Sequence, residues 1–184
     1  MHVLVAHGAS GGPASMQRHV EGLRARGLGA TAIDLPLRKA ERAVPVYRQH
    51  LAARPEPGSR LILAGQSYGG RVASLLAAEG AGTCAGLICF SYPLHRPGAP
   101  EWEPRSGHWP DIDMPVLLLS GAADPFARLD LLQRAVAERM PQAQLVVYPG
   151  IGHSLKTVLD DALDHVTAFA AAISEGTVEV DGSG

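Results

Sequence analysis

The stretch of this 184-residue sequence that most clearly suggests chemistry is Gly65-Gln66-Ser67-Tyr68-Gly69, in which a serine lies between two glycines. It follows an apolar run that ends at Ala64 and precedes a helical segment, Gly70–Glu79. A serine on a tight turn between a strand and a helix can project its Oγ away from the sheet, and flanking glycines leave the space that such a turn requires. We therefore interpret Ser67 as a candidate nucleophile.

A serine is a weak nucleophile unless a neighbouring base takes its proton. Of the eight histidines, His153 lies between the last apolar run and the last helical segment. Asp124 follows the run Val116–Ser120 in the same way. The sequence therefore predicts His153 as the base and Asp124 as the carboxylate that orients it.

Nucleophilic attack on a carbonyl carbon creates an oxyanion, which needs hydrogen-bond donors. The N–H group of Tyr68, directly after the candidate nucleophile, is the first expected donor. The loop after the first apolar run, His7–Gly12, contains three glycines and should supply the second donor from the N–H group of Ala9. We predict an oxyanion hole formed by these two backbone groups.

These residues require a sheet whose strand ends bring them together. Six short apolar runs lack the polar alternation of a half-exposed strand, and helical patterns lie between most of them, which predicts a parallel sheet covered on both faces. Loops that follow parallel strands meet at the carboxyl edge of the sheet, where active-site residues collect. The predicted strands are His2–Ala6, Gly29–Asp34, Arg60–Gly65, Ala85–Phe90, Val116–Ser120 and Gln144–Tyr148.

The length favours a single domain with one core, which we place at residues 1–174. The last helical pattern, with apolar residues from Leu159 to Ile173, closes this domain. Residues 175–184 are polar and contain glycine, so we expect a flexible tail.

The segment Ser91–Pro115 contains six prolines and shows no helical period, so we expect a long loop in place of a helix. Tyr92 and His95 follow the fourth predicted strand, and Phe126 follows Asp124. We predict that these three side chains line the substrate pocket, although an anchoring role for Tyr92 and His95 is an equally good interpretation. A packing role is favoured for the other aromatic and imidazole groups of the loop, which are Trp102, His108 and Trp109.

The composition narrows the function classes. The formal charge is -2 without a basic stripe, so no nucleic-acid partner is expected. No apolar run is long enough to span a bilayer and no signal-peptide pattern begins the chain, so we expect no membrane partner and a cytoplasmic location. No metal site or cofactor is implied, and the oligomeric state cannot be predicted.

Residues 1 to about 174 resemble the α/β-hydrolase superfamily, and in detail the small bacterial hydrolases of the dienelactone-hydrolase-like group. The resemblance implies a three-layer, doubly wound α/β-hydrolase fold with a six-stranded parallel sheet and no lid domain. It also implies the catalytic triad and oxyanion hole described above. Serine in place of cysteine as the nucleophile argues against true dienelactone hydrolase activity. The resemblance is carried by Ala6–Ala9, Gly65–Arg71, Ser91–Gly98 and Gly121–Phe126.

The expected reaction is acyl transfer to water from a small-molecule ester or thioester, with small acyl groups favoured because no lid is expected. Two alternatives remain. The loop His7–Gly12 and the acidic Asp34 superficially resemble a dinucleotide site of an oxidoreductase, but the glycine spacing differs from G-x-G-x-x-G. The fold could also serve as a catalytically silent binding or scaffold protein, since fold does not dictate function.

Overall fold

The computed structural model describes residues 1–53, 58–82, 84–99 and 105–176. Its centre is a six-stranded sheet in which every neighbouring pair is parallel. The strands are β1 His2–Ala6, β2 Gly29–Ile33, β3 Leu61–Gln66, β4 Gly86–Phe90, β5 Val116–Gly121 and β6 Gln144–Tyr148. The helices are α1 Gln17–Ala25, α2 Ala40–Ala52, α3 Tyr68–Ala78, α4 Leu129–Arg139 and α5 Leu159–Glu175. The predicted fold class is confirmed, and each predicted strand agrees with the observed one to within one residue at either end.

Helices cover both faces of the sheet, which explains why the central strands are continuously apolar. On one face α1 and α5 pack against the sheet through residues such as Leu23 and Phe169, with Ile62 and Ile88 beneath them. On the other face α2, α3 and α4 form a second apolar core, shown by residues such as Tyr47, Leu76 and Leu132. Because successive side chains of a strand point to opposite faces, β3 contributes Ile62 to the first core and Leu63 to the second.

The strand order β2-β1-β3-β4-β5-β6 reverses direction at β1. The chain leaves β1 toward β2 on one side, and β3 returns to pair with the other side of β1. In open parallel sheets such a reversal opens a crevice at the carboxyl ends of the strands. The loops after β1 and β3, which contain the predicted oxyanion donor and the predicted nucleophile, lie at this crevice.

The long connection between β4 and β5 is described at residues 91–99 and 105–115. These residues form no α-helix, only a bridge between Arg96 and Ala99 and a short 3-10 turn at Trp109–Asp111. Trp109 is 1% exposed and belongs to the apolar core between α3 and the sheet. The connection between β4 and β5 therefore packs against that core. Trp102 lies outside the described residues.

Helix α5 continues to Glu175, and Gly176 ends it in the left-handed conformation with a φ of 69°. Glycine adopts this conformation without a Cβ penalty, so it is the favoured residue after the last turn of a helix. Residues 177–184, most of the predicted tail, lie outside the described residues. In the part of the chain that is described, no helix has the length and apolar character needed to cross a membrane.

Candidate active site

Ser67 occupies the sharp turn between β3 and α3. Its φ of 50° and ψ of -111° lie outside the regions that non-glycine residues normally adopt, which marks a strained backbone. Hydrogen bonds hold the turn on both sides: the N–H group of Ser67 donates to the carbonyl oxygen of Phe90 at 2.8 Å, and its own carbonyl oxygen accepts from Arg71 at 3.0 Å. The strained conformation is therefore fixed by β4 and by the first turn of α3.

The glycines around Ser67 are required by space. A Cβ atom on Gly65 would lie 2.2 Å from the carbonyl carbon of Gly69, and one on Gly69 would lie 2.5 Å from the carbonyl oxygen of Ala6. Both contacts are to backbone atoms, which cannot move aside as a flexible side chain can. The G-x-S-x-G pattern is thus explained by the close approach of α3 to β3 and β1.

His153 connects Ser67 to Asp124. Its Nε2 atom lies 2.9 Å from Oγ of Ser67, and its Nδ1 atom lies 2.8 Å from Oδ2 of Asp124. A carboxylate can only accept, so Nδ1–H donates to Asp124 and Nε2 is left as the acceptor for the serine hydroxyl proton. Ser67, His153 and Asp124 come from the loops after β3, β6 and β5, respectively. The structure brings them together with His153 in the middle.

The surroundings of Asp124 fix its carboxylate. Its side chain is fully buried, and Oδ1 accepts a hydrogen bond from the N–H group of Phe126 at 2.8 Å while Oδ2 faces His153. The ring of Phe126 packs beside that of His153, with a centroid separation of 4.3 Å. Both carboxylate oxygens are therefore engaged, and the imidazole is held between Asp124, Ser67 and an aromatic ring.

The loops that carry Asp124 and His153 are bonded to each other. The N–H group of Ala123 donates to the carbonyl oxygen of Ile151 at 2.9 Å. A Cβ atom on Gly121 would lie 2.2 Å from the same oxygen, so glycine is required where the two loops touch. This contact sets the distance between the acid and the base.

The predicted oxyanion donors lie beside Ser67. Tyr68 is the first residue of α3, and the first N–H groups of a helix have no acceptor within the helix. Ala9 lines the same cavity as Ser67, and a Cβ atom added to the preceding Gly8 would lie 3.8 Å from Cβ of Ser67, so this loop passes close to the serine. His7 fixes the loop, because its Nε2 accepts a hydrogen bond from the N–H group of Leu35 at 3.1 Å.

A cavity of about 860 Å³ opens in front of Ser67. Phe126 lines it, as the sequence predicts. Tyr92 and His95 do not, and this part of the prediction is wrong. Both are almost fully buried, with 1% and 3% of their surface exposed.

Tyr92 and His95 instead anchor the connection between β4 and β5. The hydroxyl of Tyr92 donates to the carbonyl oxygen of Arg105, and its ring meets Trp109 edge to face at 5.1 Å. Nδ1–H of His95 donates to the carbonyl oxygen of Arg96 at 2.8 Å, and its Nε2 accepts from the N–H group of Arg128 at 2.9 Å. Position after a strand cannot distinguish a side chain that lines a pocket from one that turns inward to hold a loop.

His108 also has a packing role. Its Nε2 atom lies 2.8 Å from Oγ of Ser74 on α3, and Ser74 is 1% exposed. Burial and the positive charge of Arg71 lower the pKa of His108 to about 4. This histidine is therefore neutral near pH 7 and faces a serine that substrate cannot reach.

The sequence analysis missed the charged lining of the cavity. Six cationic side chains line the space in front of Ser67, and Glu41 is the only carboxylate among the lining residues that the structure describes. The one available signal was the run Arg38-Lys39 followed by Arg42, which comes after a strand and therefore at the carboxyl edge of the sheet. The cationic residues are Arg38, Lys39, Arg42, Arg71, Arg96 and Arg105.

Comparison with known proteins agrees with this architecture. A family model described as an alpha/beta hydrolase domain matches residues 1–179. Among solved structures, E-2-(acetamidomethylene)succinate hydrolase is similar with a TM-score of 0.79 and 15% identity, covering 93% of this chain and 91% of that chain. A monoacylglycerol lipase from Paleococcus ferrophilus has a TM-score of 0.76 and 15% identity, with coverage of 91% and 94%. A dienelactone hydrolase from Anabaena variabilis has a TM-score of 0.72 and 18% identity, with coverage of 92% and 84%.

Proposed function

Because the chain belongs to the alpha/beta hydrolase domain family, we propose that it is a serine hydrolase that cleaves small esters or thioesters. The observation that supports this most strongly is the continuous contact from Oγ of Ser67 through His153 to the buried carboxylate of Asp124. No other pair of a reachable serine and an accepting imidazole nitrogen is present among the described residues. Membership of this family argues against the alternative interpretation of the loop after β1, in which that loop binds a dinucleotide in an oxidoreductase.

In the first half of the proposed reaction, Oγ of Ser67 attacks the carbonyl carbon while Nε2 of His153 takes the hydroxyl proton. Asp124 stabilises the imidazolium that forms, through its bond with Nδ1–H. The tetrahedral oxyanion is held by the N–H groups of Ala9 and Tyr68, and the amino end of α3 adds partial positive charge at the same place. Collapse of the intermediate breaks the bond to the leaving alcohol or thiol, which takes the proton back from His153.

In the second half, water attacks the acyl group on Ser67 and His153 takes a proton from that water. The same donors hold the second oxyanion, and its collapse releases the carboxylic acid and restores the serine hydroxyl. This sequence needs no group besides water and the residues named. A cavity open to solvent in front of Ser67 suits the entry of water as well as of substrate.

The test is a series of p-nitrophenyl esters of increasing acyl length with the wild-type protein and Ser67→Ala. We expect hydrolysis that prefers short acyl groups and falls by at least 10³-fold in Ser67→Ala, because both the nucleophile and the covalent route are lost. Ser59→Ala, a serine just before β3 at the opposite edge of the sheet, is the matched control and should keep full activity. Equal rates for Ser67→Ala and wild type would contradict the assignment of Ser67 as the nucleophile, and no turnover by the wild type would instead favour a catalytically silent binding protein.

A further inference from the structure

The cavity in front of Ser67 carries far more positive charge than the rest of the molecule. The whole chain has a formal charge of -2, yet six of its sixteen Lys and Arg residues line this one cavity. Side chains interspersed at random over a surface would not concentrate in this way. The cavity therefore presents a positive potential next to the candidate nucleophile.

The cationic residues come from three separate segments that meet at the carboxyl edge of the sheet. Arg38, Lys39 and Arg42 come from the loop after β2 and the first turn of α2. Arg71 lies on the first turn of α3, and Arg96 and Arg105 come from the connection after β4. Residues far apart in sequence thus contribute the same charge to one space, which is how clefts attract charged substrates.

Little negative charge within the cavity balances these groups. Glu41 is the only acidic residue among the described lining residues, and its Oε1 lies 2.7 Å from Nη2 of Arg71. A backbone hydrogen bond at Glu41 is the main cause that lowers the pKa of its carboxyl group below the ordinary value, and the Arg71 guanidinium lowers that pKa further. Among the described lining residues, cationic side chains therefore outnumber carboxylates by six to one.

Arg71 and Arg105 each have a buried donor atom, Nε, without a hydrogen-bond partner among the described residues. Burial and the nearby charge of Arg71 lower the pKa of the Arg105 guanidinium. Like charges held close together cost free energy, which an anion bound between them would reduce.

The amino end of α2 adds to this potential. Its first turn lines the cavity, and the side chain of Lys39, the residue just before the helix, caps none of its N–H groups. The amino end of a helix carries a partial positive charge that favours anions nearby. The amino end of α2 and the cationic side chains of the cavity therefore both favour a ligand with negative charge.

We propose that the substrate is an anionic ester or thioester, whose carboxylate or phosphate groups bind the cationic wall of the cavity while its carbonyl group reaches Ser67. This inference rests on the proposed hydrolase function for the position of the carbonyl group. The shared chemistry is an oxyanion-bearing group, which guanidinium groups bind with charge-assisted and often bidentate hydrogen bonds. A carboxylate on the acyl group and a phosphate on the leaving group are the two sources of that charge.

The experiment compares two matched pairs of substrates. Mono-p-nitrophenyl glutarate and p-nitrophenyl pentanoate have the same acyl length and differ in one terminal carboxylate. Pentanoyl coenzyme A and the pentanoyl thioester of N-acetylcysteamine share the acyl group, and coenzyme A adds the phosphates together with the rest of the pantetheine arm and the adenosine to the leaving group, so the salt dependence of the preference reports on the phosphates. We expect kcat/KM to be at least 10-fold higher for the charged member of one pair, and this preference should shrink as salt concentration rises.

Variants connect the preference to the cavity. Arg38→Gln combined with Arg42→Gln changes two exposed side chains and should lower the ratio of charged to neutral kcat/KM by about 10-fold. Arg105→Gln tests the opposite wall in the same way. Arg134→Gln, on the outer surface of α4, is the control and should leave the ratio unchanged.

Binding to Ser67→Ala, measured by calorimetry with the same four compounds, separates this inference from the proposed function. Tighter binding of a charged compound without turnover by the wild type would contradict the hydrolase function and support the anionic site. Turnover that depends on Ser67 but shows no preference for charge in either pair, with equal binding, would overturn the anionic site and leave the hydrolase function standing. A preference confined to one pair identifies the carboxylate or the phosphate as the recognised group.

Discussion

Nε2 of His153 lies 2.9 Å from Oγ of Ser67, although 86 residues separate the two in the chain. Ser67 is held by the turn after β3, and His153 by the bonded loops after β5 and β6. The distance is within the range for an O–H···N hydrogen bond, and Asp124 fixes which nitrogen accepts. The relationship is therefore set by the parallel sheet and not by any local motif.

Asp124→Asn tests whether the carboxylate sets the tautomer of His153. The amide can still accept from the N–H group of Phe126, but its NH₂ group would face Nδ1 and favour the tautomer with the proton on Nε2. Nε2 could then no longer accept the serine proton, and we expect kcat for a p-nitrophenyl ester to fall roughly 10³–10⁴-fold with the fold retained.

The control for this variant is Asp130→Asn, which changes an exposed aspartate that pairs with Arg128. Circular dichroism should be the same for both variants, and only Asp124→Asn should lose activity. A loss of less than 10-fold in Asp124→Asn would show that the carboxylate does not control the base.

Gly65→Ala tests the steric account of the strand-to-helix turn. Its Cβ atom would lie 2.2 Å from the backbone of Gly69, so β3 and α3 would have to separate. We expect the free energy of unfolding to fall by about 1–3 kcal/mol or more, measured from urea denaturation midpoints, with activity lost as well. Gly12→Ala, where no atom lies within 4 Å of the added Cβ, should be close to neutral in the same measurement. Similar midpoints for the two variants would contradict this account.

The sequence predicted the sheet and the positions of Ser67, Asp124 and His153 because those features follow regular rules. Apolar runs without alternation indicate strands buried on both faces, and residues that follow parallel strands meet at one edge. The orientation of individual side chains in loops follows no such rule. Tyr92 and His95 follow β4 as the pattern required, yet packing against Trp109 and bonds to Arg96 and Arg128 turn them inward.

The positive charge of the cavity could not be predicted from the sequence for a similar reason. Its cationic residues are spread from Arg38 to Arg105, and apart from the run Arg38-Lys39 with Arg42 the interspersed charges, with a net of -2, do not indicate that these residues converge. Only the crossing of the chain at β1 brings these loops together. The proposed substrate preference therefore depends on tertiary arrangement, whereas the candidate nucleophile is visible in a local motif.

His95→Leu tests the corrected role of this histidine. The substitution removes two hydrogen bonds of a side chain that is 3% exposed, the one to the carbonyl oxygen of Arg96 and the one from the N–H group of Arg128, so we expect a loss of about 1–3 kcal/mol in the free energy of unfolding. Because His95 does not line the cavity, kcat for a neutral ester should change less than twofold at a temperature where the variant is folded. His165→Leu, an exposed histidine of α5, is the control for both measurements. A large change in kcat without a loss of stability would restore the pocket role.

The burial of His19 predicts that the folded protein loses stability in mild acid. It lies on α1 at 8% exposure, edge-on to Phe90 at 5.0 Å, and burial lowers its pKa to about 4 from the 6.5 of an exposed histidine. The unfolded chain therefore binds a proton more readily than the folded chain between these values, so stability is present above pH 6.5 and is lost as pH falls toward 4. We expect a decrease of roughly 2 kcal/mol from this group between pH 7.5 and pH 5.

The measurement is the urea midpoint of unfolding at those two pH values for wild type, His19→Gln and the exposed control His165→Gln. His19→Gln should show a smaller decrease than the other two proteins. The partly buried His108 shifts in the same direction, so some decrease should remain in all three. An unchanged pH dependence in His19→Gln would contradict the assignment.

Covalent labelling with a fluorophosphonate, followed by intact mass measurement and peptide mapping, tests the proposal that Ser67 is an activated nucleophile. We expect one adduct per chain at Ser67, absent in Ser67→Ala and about 100-fold or more slower to form in Asp124→Asn, while Ser59→Ala is labelled like wild type. Failure of the folded wild-type protein to react, or an adduct that persists in Ser67→Ala, would contradict it.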